Sequence, residues 1–200
     1  MKTPLKIGIT GGIGSGKTLV SKAFAALGIP VYYSDEESKR LLDTDPFIVS
    51  AIKKHFGEES YQNGKIDRAR LAGIVFNDKD KLELLNGITH PAVRQHFLSW
   101  VKQQQAPYIL KEAAIMYESG ANRDIDLMIT VFAPKEVRIE RAMNRENITR
   151  EQVEVRMNKQ MSEEDKMKLA DFTIFNDGEK PILPQVLHLH ELFLRKATQT

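Results

Sequence analysis

The chain has 200 residues, enough for one sizeable core or for one core carrying inserted subdomains. Its 29 lysines and arginines against 27 aspartates and glutamates leave a formal charge of +2, which offers no broad electrostatic footprint for nucleic acid or a membrane surface, so any anion site has to be local. With no cysteine there is no disulfide framework or thiolate site, and no apolar run has the length of a signal peptide's core or of a ~20-residue membrane helix, so a cytoplasmic protein is expected.

The first apolar, β-favouring run is Leu5 to Thr10. It ends in glycines, at Gly11, Gly12, Gly14 and Gly16, and an amphipathic pattern follows at once with Leu19, Val20, Ala23, Phe24 and Leu27 at helical spacing. Gly28 and Pro30 then supply a stop signal, and a second β-favouring run covers Ile29 to Tyr33. Gly11, four residues, Gly16, Lys17, Thr18 is the P-loop spacing, in which successive backbone N–H groups wrap a phosphate chain and side chains would block the approach. In that pattern Lys17 reaches the β- and γ-phosphates, the Thr18 hydroxyl ligates Mg²⁺, and the N-terminus of the following helix adds a favourable dipole.

A P-loop specifies nucleotide binding and leaves the reaction open among a GTPase switch, a motor or transporter ATPase, and a kinase for a small acceptor. The base-specificity motif of GTPases is missing, since "NKQM" at Asn158 to Met161 ends in methionine, and no LSGGQ signature occurs. Two helical insertions favour the kinase, because such flaps can close over both substrates and exclude water.

The first insertion, about 36–105, follows Asp35, which could accept the proton of an acceptor hydroxyl. Ser34 and Glu37 could equally form a capping box, leaving Asp35 merely to favour the positive helix end. Further on, His90 reads as a helix-start residue or a catalyst, Pro91 suits the first turn of a helix, and Val93, His96, Phe97, Trp100 and Val101 form its apolar stripe. Arg94 could receive an acceptor phosphate. Glu112 lies in the third β-favouring run, Tyr108 to Met116, where a buried charge needs a partner; it could hold Mg²⁺ through water, contact the acceptor, or be a solvated carboxylate if the strand ends early.

After a fourth run, Leu127 to Ala133, a lid-like helical region spans about 135–169, and Thr149 with Gln152 predicts a capping box that splits it. Arg138, Arg141 and Arg145 share one helix face there; Arg141, at mid-helix, is the choice for an arginine that swings onto the γ-phosphate, with ion pairing to nearby glutamates as the structural alternative. Arg156 and Gln160 are weaker candidates of the same kind. The last run is Phe172 to Phe175, and Asn176 after it is either a turn residue or a border of the adenine site. Five strands alternating with helices argue for a mostly parallel sheet. No apolar stripe is surplus to the core, so the oligomeric state is left open.

Taken in order, "GITGGIGSGKT", "GIPVYYSDEESKRLL", "ITHPAVR", "ESG", "IERAMNR", "VRMNKQM" and "ADFTIFNDG" give the chain, over nearly its whole length, a resemblance to the dephospho-CoA kinase family. The resemblance implies an α/β P-loop NTPase fold with a five-stranded parallel sheet and helices on both faces, carrying a CoA-side helical insertion and a lid. It implies an enzyme that phosphorylates the ribose 3′-hydroxyl of dephospho-CoA with ATP and Mg²⁺ as the last step of coenzyme A synthesis. Gly12, Ile13, Gly14, Ser15, Gly16, Lys17 and Thr18 would then bind ATP and its magnesium, Asp35 would act at the acceptor hydroxyl, and Arg141 would belong to the closing lid. His90, Pro91 and Arg94 would lie on the CoA side and Asn176 near the adenine. The family often shows Asp-Ala-Asp where this chain has Tyr33, Ser34 and Asp35, and commonly an Asp at Glu112.

Overall fold

A computed structural model describes residues 3–76 and 78–199. All five β-favouring runs become strands of one sheet: β1 (Leu5–Thr10), β2 (Val31–Tyr33), β5 (Tyr108–Glu112), β6 (Leu127–Phe132) and β7 (Phe172–Phe175), in the order β2-β5-β1-β6-β7. Every pairing in this sheet is parallel, with Ile9 opposite Glu112 on one side and Ile129 on the other. Parallel sheets are covered on both faces, which is why these strands read as apolar runs rather than alternations.

Two compact units emerge, residues 1–33 with 101–200 and residues 34–100. In the first, the sheet's core holds Ile7, Ile9, Leu110, Ile129, Val131 and Ile174, closed by Val20 and Phe24 of α1 (Lys17–Ala26) and by Val186 and Phe193 of α9 (Ile182–Gln199). Phe193 meets Phe24, Tyr108 and Phe172 with ring centroids 6.4, 5.5 and 5.5 Å apart, so one buried aromatic ties both helices to the sheet. Between β6 and β7 run α6 (Lys135–Glu146), α7 (Arg150–Met157) and α8 (Glu163–Leu169). The break between α6 and α7 carries the expected capping box, Thr149 with Gln152, preceded by Asn147 in the left-handed region at φ 52°.

The second unit comprises α2 (Ser34–Thr44), α3 (Pro46–Phe56), α4 (Arg68–Val75) and α5 (Lys79–Val101) around Leu41, Ile48, Ile52, Phe56, Leu71 and Ile88. Asp45 caps α3 by accepting from the N–H groups of Phe47 and Ile48, and Pro46 occupies its first turn. Two short antiparallel strands, β3 (Tyr61–Gln62) and β4 (Lys65–Ile66), interrupt the helical run.

Three expectations need correction. The third strand stops at Glu112 rather than Met116, because the N–H of Ala113 is the last to reach β1, donating to Ile9 O at 3.1 Å. Pro91 does not open a helix and His90 is not a helix-start residue: both lie inside α5. The carbonyl that Pro91 cannot satisfy belongs to Gly87, the most permissive backbone available, and the flanking Ile88, Ala92 and Val93 pack into the unit's core. Finally, the Ser34–Glu37 capping box does not form. Ser34 Oγ is buried without a hydrogen-bond partner among the described residues, and Glu37 pairs with Arg40 at 2.8 Å.

His90 is half-buried, and burial holds its pKa below the ordinary 6.5. The unfolded chain therefore takes up a proton that the folded unit resists, so this contribution to stability is present above pH 6.5 and is lost as pH falls below it. Urea midpoints compared at about pH 8 and about pH 5 should drop less for His90→Gln than for the wild type; equal drops would assign the acid sensitivity to other groups.

Candidate active site

Strand β1 delivers the glycine loop at the C-terminal end of the sheet, where ligands of parallel α/β folds bind. The loop turns back on itself through Ser15 N–H donating to Gly12 O at 3.0 Å and enters α1 with Gly16 as its N-cap, in the left-handed region at φ 91°. Gly14, at φ 78°, lies so close to α6 that a Cβ would fall 2.1 Å from the Arg138 carbonyl oxygen. Gly14→Ala should therefore cost at least ~1–3 kcal/mol of stability from φ alone, and more from the clash; a melting temperature equal to the wild type would show that the loop can retreat from α6.

The loop is anchored through one side chain and several backbone groups. Ile13 packs with Ile139, Ala142 and Val153, binding the loop to α6 and α7. Asn176, buried just past β7, donates from Nδ2 to Ser15 O at 2.8 Å, and its own carbonyl accepts from Arg141 Nη1 at 2.9 Å. Two acceptors from the α7–α8 region take the first loop amides: Glu163 Oε1 accepts from Gly12 N–H and Gln160 Oε1 from Ile13 N–H, each at 3.0 Å.

Lys17 and Thr18 face the end of β5. Glu112 Oε1 lies 3.4 Å from Lys17 Nζ and accepts from Thr18 Oγ1 at 3.4 Å, with side-chain exposures of 14% for Lys17 and 8% for Glu112. Glu112 is thus a buried acid with partners, and an ammonium, a hydroxyl and a carboxylate converge beside the loop's backbone donors. That set can neutralise a polyphosphate and offer hard oxygens to a divalent cation.

The remaining sequence candidates are spread over the two units. Asp35 is exposed in the first turn of α2, two residues past Tyr33, and Tyr33 is the register partner of Glu112. His90 and Arg94 stand four residues apart on one face of α5. Arg145 and Arg156 both pair with Glu146, at the surface of α6 and α7. Within the first unit it is Arg138 rather than Arg141 that reaches the start of the loop, with Nη1 3.4 Å from Glu163 Oε1.

Sequence reasoning missed Glu163 and Lys166. Lys166 is fully buried, 3.9 Å from Glu163 Oε1 and 3.7 Å from Glu118 Oε1. Burial pushes the Glu163 carboxyl up and the Lys166 ammonium down, against the opposing pull of their charged neighbours. In sequence Glu163 is one of three acids after Ser162, which caps α8, and such acids ordinarily serve the helix dipole.

No helix of the described residues is long and apolar enough to cross a membrane. The family model of dephospho-CoA kinase matches residues 5–181. A curated dephospho-CoA kinase of Bacteroides fragilis is 44% identical over 193 residues, covering 96% of this chain and 94% of its own. Among solved structures, a Thermus thermophilus protein is 33% identical with a TM-score of 0.86, over 96% of this chain and 98% of its own. The dephospho-CoA kinase of Campylobacter jejuni is 26% identical with a TM-score of 0.70, at the same coverages of 96% and 98%. With a family model spanning most of its length and so similar a curated relative, the chain belongs to the dephospho-CoA kinase family.

Proposed function

We propose that the chain transfers the γ-phosphoryl group of ATP to the ribose 3′-hydroxyl of dephospho-CoA, giving coenzyme A and ADP. The observation that carries this reading is the convergence of Lys17, Thr18 and Glu112 on the glycine loop in a chain of this family. The backbone N–H groups of Gly14, Gly16, Lys17 and Thr18 hold the β- and γ-phosphates, aided by the N-terminus of α1. Lys17 Nζ leaves Glu112 for the phosphate oxygens and balances their charge as the bond from the γ-phosphorus to the bridging oxygen breaks. The attacking oxygen is that of the ribose hydroxyl, and Asp35 orients it and takes its proton. His90 and Arg94 bind the acceptor from α5, Arg94 meeting an anionic group. Arg141 and Asn176 serve the nucleotide, Asn176 at its base and Arg141 from the lid.

Magnesium fits the oxygen donors present. Among the described residues no group of three His, Cys, Asp or Glu side chains could hold a metal, but Mg²⁺ ordinarily keeps several waters and takes one or two protein oxygens plus substrate phosphates. The Thr18 hydroxyl, with Glu112 directly or through water, is such a set. When bound, the ion spreads positive charge over the β- and γ-phosphate oxygens. The test is mass spectrometry of the products formed from ATP, Mg²⁺ and dephospho-CoA. Coenzyme A is the expected product; bound ATP without any phosphorylated acceptor would overturn the substrate assignment.

A further inference from the structure

We propose that Glu163 is the positioning residue of the phosphate loop: its carboxylate holds the Gly12 peptide in the orientation from which the following amides meet the nucleotide. This rests on the proposed role of the loop as the ATP site and adds a residue that no phosphate touches.

Glu163 is 6% exposed and reaches across from α8, far along the chain, to accept the Gly12 N–H at 3.0 Å. An acid so deeply buried needs compensation, and it has two cations, Arg138 Nη1 at 3.4 Å and Lys166 Nζ at 3.9 Å. A Cβ on Gly12 would fall 2.5 Å from Glu163 Oε1 and 2.2 Å from Arg138 Nη1, so a side chain there would have to push these two side-chain ends off the loop. Gln160 repeats the contact one residue on, at the Ile13 N–H. The amides of Gly12 and Ile13 are therefore committed to protein acceptors and that of Ser15 to Gly12 O, which leaves those of Gly14, Gly16, Lys17 and Thr18 for the nucleotide in the proposed reading. A charge-assisted hydrogen bond to a buried carboxylate fixes a peptide plane more firmly than a neutral one. An anion site made of backbone donors binds well only if those donors are already aimed.

The experiment uses Glu163→Gln and Glu163→Ala in the full chain. Two readouts are taken: hydrogen exchange of the segment containing Gly12 without nucleotide, and the Kd for Mg-ATP by calorimetry. Alanine should speed exchange in the loop segment while sparing β1 and β6, and should raise the ATP Kd about tenfold or more. Glutamine, which keeps an acceptor oxygen of the same shape, should recover part of both losses. The KM for dephospho-CoA should not move. If alanine does not fold, glutamine alone decides, with a Kd raised several-fold expected. Variants that melt lower yet bind Mg-ATP as tightly as the wild type would overturn the proposal and leave Glu163 a structural residue. A wild type that itself fails to bind Mg-ATP would instead remove the phosphate-loop reading, and this inference with it.

Discussion

Lys17→Ala should lower turnover by about 10³-fold or more, equivalent to roughly 4 kcal/mol of transition-state stabilisation. Lys17 stands at the first position of α1, and its Nζ is 3.4 Å from Glu112 Oε1 with little solvent around either group. In the proposed reaction the Lys17 ammonium exchanges Glu112 for the phosphate oxygens and follows charge onto the transferring phosphoryl group. Truncation also leaves Glu112 short of its cation, and breaking a buried pair from one side costs ~3–5 kcal/mol in unfavourable cases. The Thr18 hydroxyl remains within 3.4 Å of the same oxygen, which offsets part of that loss. The two effects separate experimentally, because a stability loss is recovered by assaying the folded protein well below its melting temperature, and a lost phosphate contact is not. Turnover within tenfold of the wild type in a folded variant would remove Lys17 from the chemistry, and the loop assignment would lose its central support.

What could be read in the sequence divides by the range of the interactions involved. The β1 strand, the glycine loop and α1 were legible because each is specified by adjacent residues: an apolar run, glycines where side chains cannot fit, and a helical repeat closed by Gly28. The Thr149–Gln152 capping box was legible for the same reason, since both of its hydrogen bonds span three residues. The β3–β4 hairpin carried a local signal as well. Asn63 and Gly64 sit at φ 51° and 76°, the pair of left-handed residues that a tight hairpin turn prefers, but they lie within a long helical pattern that masks them. Pro91 misled because the local rule against proline in a helix yields when the residues on its two sides pack into one core, Ile88 buried within it and Ala92 and Val93 half-buried against it. Glu163 was not legible at all. Its partners Gly12 and Arg138 are remote in sequence, and no periodicity links an acid on α8 to an amide of the loop.

Asp35→Asn should reduce kcat by ~10²–10⁴-fold, the usual contribution of a positioned general base, while changing the KM for ATP only slightly. Asparagine keeps the size of the side chain and one acceptor oxygen, so it can still orient a hydroxyl; what it cannot do is take the proton. The competing view is that Asp35 merely favours the positive end of α2, together with Glu36 and Glu37 in the same first turn. That view predicts a stability change of at most ~1 kcal/mol and no loss of rate. No capping box joins Ser34 to Glu37 in this turn: Ser34 Oγ is buried without a hydrogen-bond partner among the described residues, and Glu37 pairs with Arg40. Asp35 itself is exposed in this first turn, beside Glu36 and Glu37. Measuring kcat, the KM for each substrate and the melting temperature of Asp35→Asn together decides between the two views. A large fall in kcat at constant ATP KM and constant melting temperature assigns the proton to Asp35. A wild-type kcat with a slightly lowered melting temperature assigns the residue to the helix end and leaves the acceptor hydroxyl to be deprotonated elsewhere.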